Sequence, residues 1–347
     1  MTAELTNAPK VPATKIWDYA AHNAFLDLAW YHGRWFCAFR EGSTHLSGDG
    51  RTRVLVSDDG LLWKSSALLE VGPRFKGFEN QCDVSLSETP DGRLFLKVVT
   101  WDPRWPKPQS VMARNAAWFT RDGAVWDGPR EIGDPNFSLW KIKWRQGVAY
   151  SVAHDCAAEL NARVPVRLYT SNDGLHWRVL LDPLCNYGPA ILTNESTLEF
   201  LGDGAAVCLT RCHYVGQELP GRNAWECPAV LGTARAPYTV WQWRKTDWAV
   251  GGPKLLALAD GTLLLASRRW LSADWSDQRL DLCRVNLQSA RFEPVVTFVS
   301  GGDSCYAGMV EHAGKLAIAY YSSHEGKAGI YFTQLALPLL SAQPANR

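Results

Sequence analysis

A carboxylate and an arginine are predicted to meet at the open end of one short hairpin in the middle of the chain. Glu195 precedes an apolar strand pattern, Gly202, Asp203 and Gly204 form a turn, and Arg211 follows the returning strand. Because a hairpin brings its two ends together, the two side chains should lie side by side. An arginine in that position would keep the glutamate ionised.

Charged and aromatic side chains recur at similar distances from five other turns of this kind. Seven residues after the turn glycines the chain carries, in order, Arg40, Val99, His154, Arg211, Arg268 and Tyr321. Eight to eleven residues before the glycines it carries His22, Asp83, Glu195 and Tyr306. Hairpin geometry predicts that these side chains gather at one end of the molecule. Arginines beside carboxylates, a tyrosine and histidine are typical of a polar ligand site, and planar guanidinium groups match a carboxylate, so the set predicts an anionic ligand.

The elements that position these residues repeat along the chain. The turn glycines lie 53 to 59 residues apart, at Gly33, Gly92, Gly147, Gly204, Gly261 and Gly314. A fixed period in this range indicates a repeat architecture of about four short strands per unit. The sequence therefore predicts an all-β fold, a six-bladed β-propeller. We expect one domain at residues 15–337, an N-terminal tail at 1–14 and a C-terminal tail at 338–347, with a strand from Lys15 to Tyr19 that closes the ring.

A second pattern, Ser/Thr-x-Asp-Gly-x-x-Trp, occurs in the first three units, at 57–63, 120–126 and 171–177. Its aspartate can accept backbone N–H groups in a tight turn, its glycine permits a positive φ, and its tryptophan packs beneath the turn. This pattern is the Asp box. We interpret its role as structural and expect Asp59, Asp122 and Asp173 to lie far from the ligand site.

Composition narrows the classes of partner. The 347-residue chain has a net charge of +1, which gives no reason to expect a nucleic-acid or membrane partner. Its nine cysteines form no CxxC pair and show no metal-ligand spacing, so we expect no metal and no cofactor, and we predict a reduced, cytoplasmic protein. Seventeen tryptophans are enough for both blade core and sugar stacking, and the stacking candidates are Trp101, Trp105, Trp140 and Trp270.

With Asp boxes on a six-fold repeat, the chain resembles the sialidase, or neuraminidase, superfamily. The resemblance covers about residues 20 to 335 and is closest to bacterial exo-α-sialidase-like proteins, through FREGSTH, NESTLEFLGDG, GGPKLLALADG, SGGDSCYAGM and YYSSHEGK. It implies a glycoside hydrolase that removes a terminal sialic acid, or a related acidic nonulosonic sugar, from a glycan with retention of configuration.

The resemblance also implies roles for individual residues. Tyr306 resembles the nucleophile and Glu195 the residue that activates it. Arg211 and Arg268 resemble two members of an arginine triad that binds the sugar carboxylate, and Arg40 resembles an accessory arginine. Asp83 resembles the acidic residue that contacts the glycan. Apart from the resemblance, Asp303 is a candidate to orient Tyr306 or a sugar hydroxyl, and a turn-capping role for it is equally open. A neutral tyrosine suits such a substrate, because a carboxylate nucleophile would be repelled by the carboxylate at the anomeric carbon.

Two departures from the family pattern leave the substrate open. His22 stands where the first triad arginine is expected, and His45 stands near the place of the acid/base aspartate, with Asp49 the nearest aspartate after it. Either His45 or Asp49 could be the acid/base. One alternative is therefore a glycosidase or lyase that acts on a uronate-linked sugar with His22 or His45 as acid/base. A non-catalytic sugar-binding propeller is another, although it would have no need of a Tyr–Glu pair.

Overall fold

Short apolar strands separated by glycine turns make up nearly all of the structure. The computed structural model describes residues 8–102, 111–156, 166–185, 191–214, 227–271, 278–337 and 340. The strands pair into six antiparallel sheets in chain order, each of four main strands, and these are the blades of a six-bladed β-propeller. The predicted fold is confirmed.

The first three blades each use four consecutive strands. Blade one contains β3 (His22–Tyr31), β4 (Arg34–Gly42), β5 (Arg51–Ser57) and β6 (Lys64–Leu69). A 3₁₀ turn at Pro73–Phe75 leads to blade two, which contains β7 (Asn80–Glu88), β8 (Leu94–Trp101), β9 (Ala113–Thr120) and β10 (Asp127–Ile132). Blade three contains β11 (Phe137–Arg145), β12 (Val148–Asp155), β13 (Arg167–Ser171) and β14 (Arg178–Leu181).

The last three blades continue the pattern, with additions from the N-terminus. Blade four contains β15 (Ile191–Phe200), β16 (Ala206–Tyr214), β17 (Val230–Ala234) and β18 (Trp241–Lys245). Blade five contains β19 (Gly251–Ala257), β20 (Leu263–Trp270), β21 (Gln278–Asn286), β22 (Arg291–Phe298) and β1 (Lys10–Val11). Blade six contains β23 (Ser304–His312), β24 (Lys315–Ser322), β25 (Gly329–Ala336) and β2 (Thr14–Trp17).

The N-terminal segment closes the ring. Strand β2 pairs antiparallel with β25, with Lys15 opposite Tyr331, so the predicted closing strand is present. Strand β1 pairs in parallel with β22, so residues 10–11 are part of blade five rather than of a free tail. At the other end, Leu340 is fully buried among the side chains of blades five and six. Residues of both predicted tails therefore pack onto the propeller. The cause is the same at each end, because the packing of Val11 and Leu340 removes apolar surface from water.

The hydrophobic core lies in layers between neighbouring blades. One cluster packs blade one on blade two through Phe36, Val54 and Leu96, and another packs blade six on blade one through Leu28, Cys305 and Ile330. The first strands β3, β7, β11, β15, β19 and β23 contact one another in that order, and β23 contacts β3, which completes an inner ring. A ring of first strands places the same end of every blade around one central opening.

A group of buried charges holds alternate blades together. Asp27 of blade one is fully buried, and its carboxylate accepts hydrogen bonds from Lys254 Nζ of blade five at 3.0 and 3.3 Å. Lys141 Nζ of blade three lies 3.5 Å from the same carboxylate and donates to the carbonyls of Leu26 and Val84 at 3.1 and 2.6 Å. Buried charges are tolerated only when paired in this way, so the group fixes the inner strands in place.

Each first strand has a β-bulge near the opening. In every blade two residues of the first strand face one residue of the second. These pairs are Phe25 with Leu26, Asp83 with Val84, Trp140 with Lys141, Asn194 with Glu195, Gly252 with Pro253, and Tyr306 with Ala307. A bulge changes the direction of the side chains at that point, so six equivalent bulges can aim six sets of side chains at one cavity.

The three Ser/Thr-x-Asp-Gly-x-x-Trp segments form equivalent turns between the third and fourth strands. In the first, Asp59 Oδ1 accepts from the N–H groups of Leu61 and Leu62 at 2.8 and 2.9 Å, and Trp63 Nε1 donates to the Gly60 carbonyl at 3.1 Å. Because successive strands are antiparallel, these turns share an end of the propeller with the hairpin turns and lie opposite the bulged end. Across the described residues no helix is long and apolar enough to cross a membrane.

Candidate active site

The bulges open into a cavity of about 210 Å³ at one end of the inner ring. Five of the six bulges contribute lining residues, which are Phe25, Asp83, Trp140, Asn194, Glu195 and Tyr306. The other lining residues are His45, Leu46, Gly48, Asn80, Cys82, Trp101, Asp102 and His154. The cavity thus combines aromatic walls, which can pack against the apolar face of a small ligand, with three carboxyl groups, which can bind its polar groups.

Glu195 and Tyr306 are joined by a direct hydrogen bond. Tyr306 Oη donates to Glu195 Oε1 at 2.8 Å. The other carboxylate oxygen, Oε2, accepts from Arg211 Nη1 at 2.6 Å and from the Gly252 N–H at 2.8 Å. The predicted meeting of Glu195 and Arg211 is confirmed. Blades four, five and six together fix the glutamate.

The surroundings keep Glu195 ionised and Tyr306 protonated. Burial by itself would raise the pKa of Glu195, but the Arg211 charge and the hydrogen bonds from Arg211, Tyr306 and Gly252 bring that pKa down to about 2. Burial and the neighbouring Glu195 charge raise the pKa of Tyr306 well above its ordinary value, against the opposing effect of Arg268 and Arg211. A phenol that donates to a carboxylate is ready to lose its proton when its oxygen forms a bond.

Asp83 has the opposite electrostatic environment. Burial raises its pKa to about 6, and the nearby Glu195 charge acts in the same direction, while Lys97 opposes both. Lys97 is itself fully buried on the adjacent strand, and burial lowers its pKa to about 7. Two carboxyl groups in one cavity with pKa values pushed apart can divide the roles of proton donor and proton acceptor.

A second hydrogen-bonded network lies beside Tyr306. Tyr321 Oη accepts from Arg268 Nη2 at 2.6 Å and donates to Asp303 Oδ1 at 2.6 Å. His22 Nε2 donates to Asp303 Oδ2 at 3.1 Å. Burial disfavours the charged form of Asp303, but the contacts of His22, His45 and Tyr321 hold its pKa well below the usual range. Asp303 is therefore a partner of this network, and the hydrogen bond of Tyr306 goes to Glu195 instead.

Among the predicted site residues that do not line the cavity, two are held by the loop at 43–49. Arg40 is fully buried, and its guanidinium donates to the carbonyls of Thr44 and Ser47 at 2.9 and 2.6 Å. Asp49 accepts from the backbone N–H of Ser43 at 3.1 Å and from its hydroxyl, and the Ser43 hydroxyl is the main cause of a pKa well below its ordinary value. Neither residue lines the cavity. In this structure both residues contact the loop at 43–49 that carries His45.

The remaining predicted residues lie in or next to the cavity. His45 and Asp83 line it, and Arg268 lies alongside, with its guanidinium carbon 5.8 Å from the centre of the Tyr306 ring. Among the tryptophans, Trp101 and Trp140 line the cavity and the Trp270 ring packs on Arg211 at 5.4 Å. Trp105 lies outside the described residues.

Sequence reasoning missed Phe25, Asp102 and Gly252. Phe25 and Gly252 lie eight and nine residues before their turn glycines, in the same window as Tyr306 and Asp83. Their distance from the turn glycines could therefore have identified them, if apolar residues and glycine had been considered as well as charged and polar ones. Asp102 follows the second strand of blade two, and no repeat position points to it.

The same fold occurs in solved structures at low sequence identity. A protein of unknown function from Dyadobacter fermentans DSM 18053 is 17% identical with a TM-score of 0.75, over 95% of this chain and 99% of that chain. An α-L-arabinanase of Penicillium chrysogenum complexed with arabinobiose is 12% identical with a TM-score of 0.69, over 96% and 99%.

A sialidase gives a similar result. The Trypanosoma rangeli sialidase in complex with 2,3-difluorosialic acid is 12% identical with a TM-score of 0.70, over 96% of this chain and 60% of that chain. No protein-family model and no curated protein matches the chain. At these identities the likeness establishes the class of fold, a six-bladed β-propeller, and does not by itself establish a function.

Proposed function

We propose that this propeller is a retaining glycoside hydrolase with Tyr306 as nucleophile. The observation that carries the proposal is the 2.8 Å hydrogen bond from Tyr306 Oη to Glu195 Oε1 in a cavity that Asp83 also lines. Nucleophile, base and acid are the three groups that a double-displacement reaction needs. The fold is shared with an arabinanase and a sialidase, which adds support at the level of a carbohydrate ligand.

The first step forms a bond between Tyr306 Oη and the anomeric carbon. Glu195, ionised by its contacts with Arg211 and Gly252, accepts the phenol proton as that bond forms. Asp83, with a pKa of about 6, is the proton donor to the departing glycosidic oxygen, whose bond to the anomeric carbon breaks. The products of this step are a glycosyl–tyrosine intermediate and a free alcohol.

The second step reverses these roles. Water attacks the anomeric carbon, Asp83 takes the water proton, and the bond to Tyr306 breaks. Glu195 returns its proton to the phenolate, which restores the resting site. Two inversions at one carbon give net retention.

For the sugar, the proposal is a terminal acidic residue of the nonulosonic class. A neutral phenol avoids the repulsion that a carboxylate nucleophile would meet from such a sugar. Arg211 and Arg268 flank Tyr306 and lower the cost of negative charge there. The sialidase neighbour in complex with 2,3-difluorosialic acid gives this choice some precedent on the same fold.

A neutral sugar is the second candidate. Its supporting observation is that none of the lining residues in the described part of the chain is an arginine or lysine, whereas three are carboxylic acids. The charges of Arg211 and Arg268 are already opposed by Glu195 and Asp303. The arabinanase neighbour complexed with arabinobiose is an example of a related ligand on this fold.

A panel of aryl glycosides tests the function. The panel contains an α-sialoside, an α-L-arabinofuranoside and a β-glucuronide, each assayed with the wild-type protein and with Tyr306→Phe. We expect turnover of the sialoside, with NMR detecting the retained anomer first. Preferred turnover of the arabinofuranoside would select the neutral-sugar candidate. An unsaturated product would indicate a lyase, and sugar binding without turnover a non-catalytic propeller.

A further inference from the structure

Two histidines and a carboxylate converge beside the active-site cavity. His22 lies at the start of β3, His45 on the loop after β4, and Asp303 immediately before β23, so blades one and six both contribute. One possible metal-ligand atom from each side chain lies within 4.8 Å of the other two. Within the described part of the chain, these three residues form the group that could hold a metal ion. His45 also lines the cavity.

Some imidazole nitrogens of this cluster have no hydrogen-bond partner among the described residues. His22 Nε2 and His45 Nδ1 both approach Asp303 Oδ2, at 3.1 and 3.5 Å. His45 Nδ1 is buried and makes no hydrogen bond with any described residue, and the same holds for His22 Nδ1. His22 is 92% buried, since its exposed fraction is 8%. Of these two nitrogens, His45 Nδ1 is the one that faces Asp303, because His22 approaches Asp303 through Nε2. A buried imidazole nitrogen without a partner beside a carboxylate oxygen indicates that another atom is expected there.

The other oxygen of the carboxylate is held in place by the protein. Asp303 Oδ1 accepts from Tyr321 Oη at 2.6 Å and from Arg268 Nη2 at 3.4 Å. These contacts orient the carboxylate so that Oδ2 faces the two imidazoles. Outer contacts of this kind are what fix the ligands of functional metal sites.

The geometry points to a zinc site formed by His22, His45 and Asp303. Zinc binds imidazole nitrogen and carboxylate oxygen at about 2.0–2.2 Å, which puts neighbouring ligand atoms of a tetrahedral site about 3.4 Å apart. The two N–O distances here, 3.1 and 3.5 Å, fit that spacing. Two histidines and one carboxylate occupy three positions, and three protein ligands with one open position are typical of zinc sites that bind a further ligand.

A zinc ion would change the charge that the cavity offers to a sugar. The Asp303 charge is opposed by Arg268, so Zn²⁺ would add positive charge next to a cavity whose described lining has three carboxylic acids and no arginine or lysine. The open position would take an anionic oxygen of the ligand. This consequence rests on the proposed function and favours its acidic-sugar form, whereas the zinc site itself rests on the three ligands.

Calorimetry with zinc alone tests the site. Tag-free protein, stripped with a chelator and dialysed, is titrated with ZnCl₂, and Co²⁺ is added to a second sample to record its visible spectrum. We expect one ion per chain with a dissociation constant in the micromolar range or tighter, and Co²⁺ bands of a four-coordinate nitrogen and oxygen site. Loss of one ligand in His45→Ala should weaken binding about 100-fold or more.

A matched control separates this cluster from ordinary surface histidines. His176 also contacts a carboxylate, with Nδ1 2.7 Å from Asp173 Oδ2, but it is exposed on a turn. His176→Ala should bind zinc as the wild type does, and Asp303→Asn should not. His45 lies on a partly exposed loop, so His45→Ala gives a result even where Asp303→Asn fails to fold.

Each possible result of the zinc titration either supports or overturns the site. Saturable 1:1 binding that is lost in His45→Ala supports the site, whereas wild-type protein without binding at about 100 µM zinc, or binding equal in both variants, overturns it. Because no substrate is used, zinc binding without glycoside turnover would refute only the proposed reaction. Turnover by a chain that binds no zinc would refute only the metal site.

Discussion

Tyr306 and Asp83 occupy equivalent positions in blades six and two. Each is the first residue of its blade's bulge, and each has a positive φ, 47° for Tyr306 and 52° for Asp83. Such a conformation costs a residue with a side chain about 1–3 kcal/mol. Phe25, the first residue of the blade-one bulge, has a φ of 57°, so the conformation is shared by several bulges and includes both positions where the proposed nucleophile and acid line the cavity.

Tyr306→Phe should lower kcat by several orders of magnitude with little change in KM, because the ring stays in place and only the reacting oxygen is lost. Glu195→Gln should also lower kcat sharply. The double variant should be only slightly worse than either single variant, since the two residues act as one unit. Steady-state kinetics on the best glycoside of the panel, with mass spectrometry after trapping by a fluorinated sugar, measures both points. Near-normal turnover by Tyr306→Phe would discard the tyrosine mechanism.

In the proposed reaction Asp83 should set the pH dependence. It must be protonated to donate, and its pKa is about 6, so kcat/KM should fall tenfold per pH unit above that value. On the acid side Glu195 stays ionised down to a pH of about 2. Asp83→Asn should remove the alkaline decline and lower kcat about 10²–10⁴-fold for sugars with poor leaving groups, with a smaller effect for good leaving groups.

The loop residue Asp49 is the control for that profile. Asp49→Asn should keep the alkaline decline near pH 6, because Asp49 does not line the cavity. A profile that moved in Asp49→Asn and stayed unchanged in Asp83→Asn would reverse the assignment.

Gly252 should tolerate no side chain. Its φ is 52°, and an added Cβ would lie 2.5 Å from Cys305 Sγ and 2.8 Å from the Tyr306 ring. Gly252→Ala should therefore displace Tyr306 and the N–H that Glu195 accepts, with loss of both stability and kcat. Gly202→Ala is the control, since an added Cβ there meets nothing within 4 Å. Equal melting temperatures and equal kcat for the two variants would contradict this role of Gly252.

The three equivalent turns should matter for stability alone. Asp59 accepts two backbone N–H groups, which lowers its pKa, whereas the adjacent Asp58 offers a matched control. Asp59→Ala should lower the melting temperature while kcat of the folded protein stays unchanged. Because the pKa is lower in the folded state, the stabilisation is present above the ordinary carboxyl pKa and is lost as pH falls below it. The difference in melting temperature between Asp59→Ala and Asp58→Ala should therefore shrink in acid.

The six-bladed fold and the Glu195–Arg211 contact could be predicted from the sequence, because the first follows from the regular spacing of the turns and the second from a single hairpin. Glycine turns at a fixed period specify hairpins, and a hairpin fixes which residues share an end. For the same reason Tyr306 and Asp83 could be placed at the opening before their partners were known. The offset counts sequence positions and says nothing about which way a side chain points.

Direction and environment were decided by the tertiary structure. Arg40 and Arg211 have the same offset from their turns, yet Arg40 is buried under the loop at 43–49 and Arg211 reaches Glu195. The cluster of His22, His45 and Asp303 joins residues about 280 positions apart, which no local pattern connects. The separation of the Asp83 and Glu195 pKa values likewise arises from burial, from the charges of Lys97 and Arg211, and from the contacts of Glu195 with residues of blades five and six. Side-chain direction, the cluster and the pKa values all depend on packing between residues that are distant in the sequence. The spacing of the turns does not specify that packing.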